Sequence, residues 1–309
     1  MTTPPAQAVD APQLRPLGVG DIVDRVFALY RSRPLLLLAV ATVPYLILFL
    51  VITGLALAFA ATFLTVLAPF ARLASDPTST DVNFAGLAAV LGTVLTIVAV
   101  IVVAAVIILS AQSSALIVAV SALYLRRPVT AGSIFAEGMR AAPRVIGAGL
   151  LLFVGLVALW LVLALLMFVI NQGIFIAVAI IFGLVATVYI FASALVAPVV
   201  ATLEGASPVT ALRRSWRLAS GNRWRILGLQ LLLVVLNGVV GALLSALFLG
   251  SLISDETVRT VVQQAANLIT NVAWAPVQWG TFAILYYDLR VRHEAYDLQL
   301  AAEALPRQV

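Results

Sequence analysis

Long stretches without a single charged side chain constrain this sequence more than any other feature. Residues 34–71, 82–125, 145–203, 226–254 and 261–287 contain no Asp, Glu, Lys, Arg or His. A helix needs about 20 apolar residues to cross the roughly 30 Å hydrocarbon core of a bilayer, and each stretch exceeds that. The third is long enough for two crossings, divided at Asn171, Gln172 and Gly173. Six transmembrane helices are therefore expected. Composition closes off the soluble alternative: 10% of the chain is charged and 63% hydrophobic, whereas a soluble domain carries about 25% charged residues to clothe its surface.

The cations give the topology. All eighteen are arginine, and cationic residues collect on the cytoplasmic side of membrane spans. Arg15, Arg25, Arg31 and Arg33 precede the first span, and Arg126, Arg127, Arg140 and Arg144 lie between the second and third. Arg213, Arg214, Arg217, Arg223 and Arg225 lie between the fourth and fifth, and Arg290, Arg292 and Arg307 follow the sixth. Only Arg72 and Arg259 fall in the alternate loops, near Asp76, Asp81, Asp255 and Glu256. Both termini are expected to be cytoplasmic. The net charge of +5 thus describes topology and contact with anionic lipid rather than nucleic acid. Exclusive use of Arg, with abundant Ala, Val and Leu, fits a GC-rich bacterial genome and a bacterial plasma membrane. The first apolar run is too long for the core of a signal peptide, so no cleaved leader is expected.

Residues 1–16 are expected to form a disordered tail, 17–293 a single membrane domain, and 294–309 a cytoplasmic tail. Between Asp21 and Arg31, apolar residues 22, 23, 26, 27 and 30 share one helical face, with Asp21 and Arg25 as an i,i+4 pair opposite. A repeat follows. Pro128-Val129-Thr130-Ala131 recurs as Pro208-Val209-Thr210-Ala211, and Arg144-Val145-Ile146-Gly147 as Arg225-Ile226-Leu227-Gly228. Ser207, Pro208 and Gly221 punctuate the later amphipathic helix. The expected architecture is all-α, with three parallel repeats (about 17–125, 128–204 and 207–293), each a cytoplasmic interfacial helix followed by two spans. The runs 34–70 and 84–125 exceed a bilayer as straight helices, so a kink at Pro44 and a polar break at Ser110-Ala111-Gln112-Ser113-Ser114 are expected.

Reactive constellations are absent from the sequence. The spans hold no charged residue of the kind that marks proton or ion coupling. His293 is the only histidine, and with Glu294 and Asp297 it does not amount to a metal site. No catalytic residue, metal or cofactor is expected. Gln264, Asn267, Asn271, Trp274 and Gln278 form a polar stripe at helical spacing, read either as the lining of a cavity or as interhelical hydrogen bonding. Gln230, Asn237, Gly241 and Ser245 read as helix packing. Arg213, Arg214, Arg217, Arg223 and Arg225, interleaved with Trp216 and Trp224, fit either lipid phosphate or an acidic partner, or topology with interfacial Trp anchoring.

Three segments resemble a bacterial family, the membrane domain of glycerophosphoryl diester phosphodiesterase. They are Pro16–Arg31, with Asp21, Asp24, Arg25 and Tyr30; Ala211–Leu218; and Tyr286-Tyr287-Asp288-Leu289-Arg290-Val291-Arg292. The resemblance implies a helical membrane fold and location. The family name implies a soluble hydrolase barrel as well, but such a barrel needs about 250 residues, which this chain does not supply. Hydrolase activity is therefore not carried over. The expected function is a non-catalytic membrane protein, a scaffold or regulatory partner in a bacterial envelope assembly, with membrane lipid and another membrane or cytoplasmic protein as partners. A transporter or flippase for an uncharged or lipid-like substrate is the alternative.

Overall fold

The computed structural model describes residues 16–75, 84–247, 255–296 and 299. The expected N-terminal tail up to Arg15, most of the C-terminal tail, Asp76, Asp81 and Arg307 lie outside them. Among the described residues the chain is helical, with no strand. In order come α1 (Val19–Ser32), α2 (Pro34–Ser75), α3 (Phe84–Tyr124), α4 (Ala131–Ile170), α5 (Gly173–Ala194), α6 (Ala197–Leu203), α7 (Pro208–Ala219), α8 (Arg223–Leu247) and α9 (Glu256–Glu294).

Local chemistry sets the boundaries. Thr130 Oγ1 accepts from Ser133 N to start α4, and Ser207 Oγ accepts from Thr210 N to start α7, where Pro208 occupies the first turn. Asn171 ends α4 in the left-handed region (φ 44°), its N–H donating to the Met167 carbonyl, a conformation Asn tolerates better than most residues. Gly221 (φ 73°) turns the chain from α7 into α8, where any side chain would be strained.

One core gathers the start of α2 (Leu37, Val40), the end of α3 (Ala115–Val120) and the start of α4 (Ile134, Val145). It also takes the end of α5 with α6 (Ala192–Ala201), the start of α8 (Ile226, Leu229) and the end of α9 (Ala283–Leu289). Starts and ends alternate, so the long helices run up and down from a single packed end. Short α1 and α7 lie against that end, supplying Ile22 and Val26, and Ala211 and Leu218. It carries the arginines of the even-numbered connections and both ends of the described chain. We call it the arginine-bearing end, and the other the distal end.

Five helical segments are long and apolar enough to cross a membrane: Pro34–Leu55, Leu91–Tyr124, Ala131–Ile170, Gly173–Leu203 and Arg223–Leu247. The protein buries at most 28% of the most apolar window in any of them. Side chains so apolar and so uncovered by protein lower their free energy by dissolving in lipid, and the protein has the character of a multi-pass membrane protein. The sixth expected crossing, α9, is long enough but is not among the five, because its amide stripe dilutes its apolarity.

Three local expectations give way to other contacts. Asp21 accepts from Gly18 N (2.9 Å) while Arg25 donates to the Tyr124 hydroxyl (3.1 Å), so their i,i+4 pair yields to a helix cap and a tertiary bond. No break appears at Ser110–Ser114. There α3 runs on unbroken, because Gln112 donates to the Ala41 carbonyl of α2 (3.0 Å) and Ser113 to its own helix at Ser110 (2.9 Å). Helix α2 is assigned as one helix through Pro44. The amphipathic segment after Thr130 is not a separate interfacial helix: it continues through Pro143 into the long α4, unlike α1 and α7, which end before the following span.

Close backbone approach fixes the central pair. A Cβ at Gly138 of α4 would lie 2.8 Å from the Ala115 Cβ and 2.9 Å from the Ala111 carbonyl of α3. Only glycine allows α3 and α4 to meet there.

Candidate functional site

Two features stand out: an ionic clamp at the arginine-bearing end, and a cavity beside it. The clamp centres on Asp288, buried in the last turns of α9. Its carboxylate accepts from the backbone N–H of Leu17 (2.7 Å), from Arg225 of α8 (2.5 Å) and from Arg292 one turn on (3.1 Å). Both guanidinium groups also donate to the Leu17 carbonyl. The segment leading into α1 is thereby held by both backbone polar groups of one residue. A buried charge is tolerable only when paired and hydrogen-bonded, and this one has partners from three parts of the chain.

A second ionic group joins α6, α7 and α9. Glu204 accepts from the Tyr286 hydroxyl (2.6 Å) and from Arg214 Nε (2.5 Å), and Arg214 also reaches Glu294, which Arg290 pairs at 2.9 Å. Burial pushes the Glu294 carboxyl upward, but the hydrogen bonds and charges of Arg290 and Arg214 outweigh burial and hold it below the ordinary range. These contacts fasten the ends of elements.

The sequence-singled arginines divide accordingly. Arg225 belongs to the clamp and Arg214 to the second ionic group, and Arg223 lies over the Tyr189 ring (4.4 Å) and donates to Ser193 Oγ (2.8 Å). Arg213 and Arg217 are exposed, as is Trp224. Among the family-like positions, Asp21 caps α1 and Arg25 meets Tyr124. Asp24 is exposed and Tyr30 half-buried. Tyr286 and Tyr287 pack edge to face (5.3 Å), Tyr287 also against Tyr124, while Asp288 and Arg290 anchor the two ionic groups. His293 Nε2 is hydrogen-bonded with Asn222 Nδ2 (3.3 Å).

Just inside this end lies a cavity of about 760 Å³. Its walls are residues 102–113 of α3, 145–153 of α4, the α5–α6 junction around Phe191 and Leu195, and Gln278, Trp279 and Phe282 of α9. Gln230 of α8 closes one side. No charged residue lines it, and the polar contribution comes from Ser110, Ser113, Gln230, Gln278 and the Trp279 indole. The Gln230 Oε1 atom is buried with no hydrogen-bond partner, as is Asn237 Oδ1 two turns further along α8.

The expected stripe on α9 is thus split by its surroundings. Gln278 lines the cavity and Trp274 is buried, whereas Gln264, Asn267 and Asn271 are exposed. Asn271 donates only to the Asn267 carbonyl of its own helix (2.8 Å). The stripe neither lines the cavity throughout nor bonds across to a neighbouring helix. Gln230 was read from sequence as packing; its seven-residue spacing from Asn237 was the signal that two amides share a face. The sequence pattern gives no sign of the Leu17–Asp288, Glu204–Tyr286 or Arg214–Glu294 contacts, whose partners lie 271, 82 and 80 residues apart.

Compared with protein-family models, with curated proteins and with solved structures, the chain matches none.

Proposed function

We propose that this chain is a non-catalytic six-span protein of a bacterial plasma membrane, with both termini cytoplasmic, acting as a scaffold or regulatory partner in an envelope assembly. In this reading α9 is the sixth span, and the resemblance to the glycerophosphoryl diester phosphodiesterase membrane domain covers fold and location only. One observation carries it: the uncovered amides of Asn267 and Asn271. Asn271 lies about 25 Å along α9 from Asp288 at 1.5 Å per residue, within or at the far edge of the hydrocarbon. Asn271 meets one of its amide hydrogen bonds within α9, at the Asn267 carbonyl, but amide groups left unpaired in hydrocarbon cost up to about 4–8 kcal/mol, and polar residues in spans face other protein or a cavity. A partner helix on this face removes that cost.

A photo-crosslinking amino acid at Asn271, activated in membranes, tests the proposal. It should yield a discrete higher-mass protein adduct, while the same group at Phe168, exposed on the distal part of α4, should capture lipid only. If Asn271 also yields lipid adducts only, and the protein purifies alone with no assembly defect on deletion, the reading fails.

The cavity favours a second reading, a transporter or flippase for an uncharged or lipid-like molecule. The stripe runs from Gln278 in the cavity towards Gln264, a row of amides along which a neutral head group can pass. Reconstituted protein should then accelerate transbilayer movement of a fluorescent neutral lipid; rates equal to those of empty vesicles would exclude this.

A further inference from the structure

We propose that the cavity behind Gln230 is a binding site for one neutral lipid, a hydrocarbon chain ending in an uncharged, hydroxyl-bearing head. The inference rests on the chain being membrane-embedded, and requires neither an assembly partner nor transport. Its volume, about 760 Å³, falls within the roughly 300–1,000 Å³ of ordinary ligand sites. The α3 wall runs from Val102 to Ser113, about 16 Å along the helix axis. That elongated wall, with Val106 and Leu109 on it and Phe153 of α4 and Phe191 of α5 lining the same cavity, suits a hydrocarbon chain.

The polar end identifies the head. No Arg, Lys, Asp, Glu or His lines the cavity, so a phosphate or carboxylate entering it would lose its hydration with no counter-charge in return. The buried Gln230 Oε1 is an acceptor without a donor, and a buried polar atom of this kind is normally satisfied. Rotation of the Gln230 amide about its terminal bond, which is a soft torsion, turns that oxygen to the cavity, where a hydroxyl supplies the donor and can itself accept from an amide or indole N–H nearby. The cavity begins at Val145, next in sequence to Arg144, and so close to the membrane surface, the depth at which a lipid head group resides.

The test uses full-length protein in mild detergent with two photoactivatable probes sharing the same acyl chains, a diacylglycerol and a phosphatidic acid. Diacylglycerol should label peptides covering residues 102–113 and 145–153. Phosphatidic acid should label them about tenfold less or weaker still, since its charge is not compensated. Gln230→Leu should reduce diacylglycerol labelling by roughly two- to tenfold, the value of one hydrogen bond. Gly149→Phe puts a ring on the cavity wall at a position where nothing lies within 4 Å of an added Cβ; it should strongly reduce labelling and leave the melting temperature unchanged. Labelling of other segments, equal labelling by phosphatidic acid, or labelling insensitive to Gly149→Phe would overturn the site. Loss with Gly149→Phe but not with Gln230→Leu would overturn Gln230 as the head-group acceptor. Because the readout is a lipid adduct at α3 and α4, its failure is distinguishable from failure to find a protein partner at Asn271.

Discussion

At the arginine-bearing end Ile284, Leu285 and Val200 are fully enclosed, whereas at the distal end Phe168, Ile174 and Leu247 stand 83%, 84% and 75% exposed. The same kinds of apolar side chain thus have opposite surroundings a bilayer's width apart. The difference teaches where the protein holds itself together and where lipid does. Short helices α1 and α7 lie against the enclosed end, and the ion pairs of Asp288, Glu204 and Glu294 are there too. Further out, α4 and α5 still meet, with Trp160 donating to Thr187 (3.1 Å) and Gly183 close against Leu163. The cavity lies at the border between the two regimes, where helices locked at one end begin to part.

Breaking the clamp should have the largest effect. In Asp288→Ala, Arg225 and Arg292 lose their buried acceptor and Leu17 N its bond; breaking a buried pair costs about 3–5 kcal/mol. For a protein of this size that lowers the melting temperature in detergent by on the order of 10 °C. Gly138→Val comes next. Its side chain would strike Ala115 and the Ala111 carbonyl, and overpacking of that kind costs about 1–3 kcal/mol, read in the same melt.

Acid should have a smaller effect of definite sign. The folded-state pKa of Glu294 is depressed, so its ion pairs contribute fully above the unfolded value of about 4.3 and are lost as pH falls through the folded value. The melting temperature should drop between about pH 5 and pH 3, and Glu294→Gln should flatten that part of the profile. The smallest effect belongs to the distal end: Phe168→Leu should change stability by less than about 0.5 kcal/mol. A large loss there would mean that protein rather than lipid covers it.

What the sequence disclosed follows the same division. Apolar runs, the stop at Asn171 and the cap at Ser207 are local signals, and each appears where expected. The polar run Ser110–Ser114 misled, because Gln112 finds its acceptor on α2 rather than in water. Likewise Arg25 pairs with Tyr124, far along the chain, in preference to Asp21. Periodicity carries no information about such partners. The stripe on α9 was legible as a row, but its surroundings were not: cavity at Gln278 and open surface at Asn271 depend on where α3, α4 and α8 sit. The equivalence of repeats was legible in Pro-Val-Thr-Ala, yet α4 fuses what α7 and α8 keep apart.

Whether α9 crosses the membrane decides the account, and single-cysteine labelling in intact cells tests it most directly, since the chain has no cysteine of its own. A membrane-impermeant maleimide should label cysteines at Asn171 and Asp255 from outside, and those at Ser220 and Gln299 only after lysis. If Asp255 and Gln299 prove accessible from the same side, α9 does not cross, and the six-span arrangement is wrong.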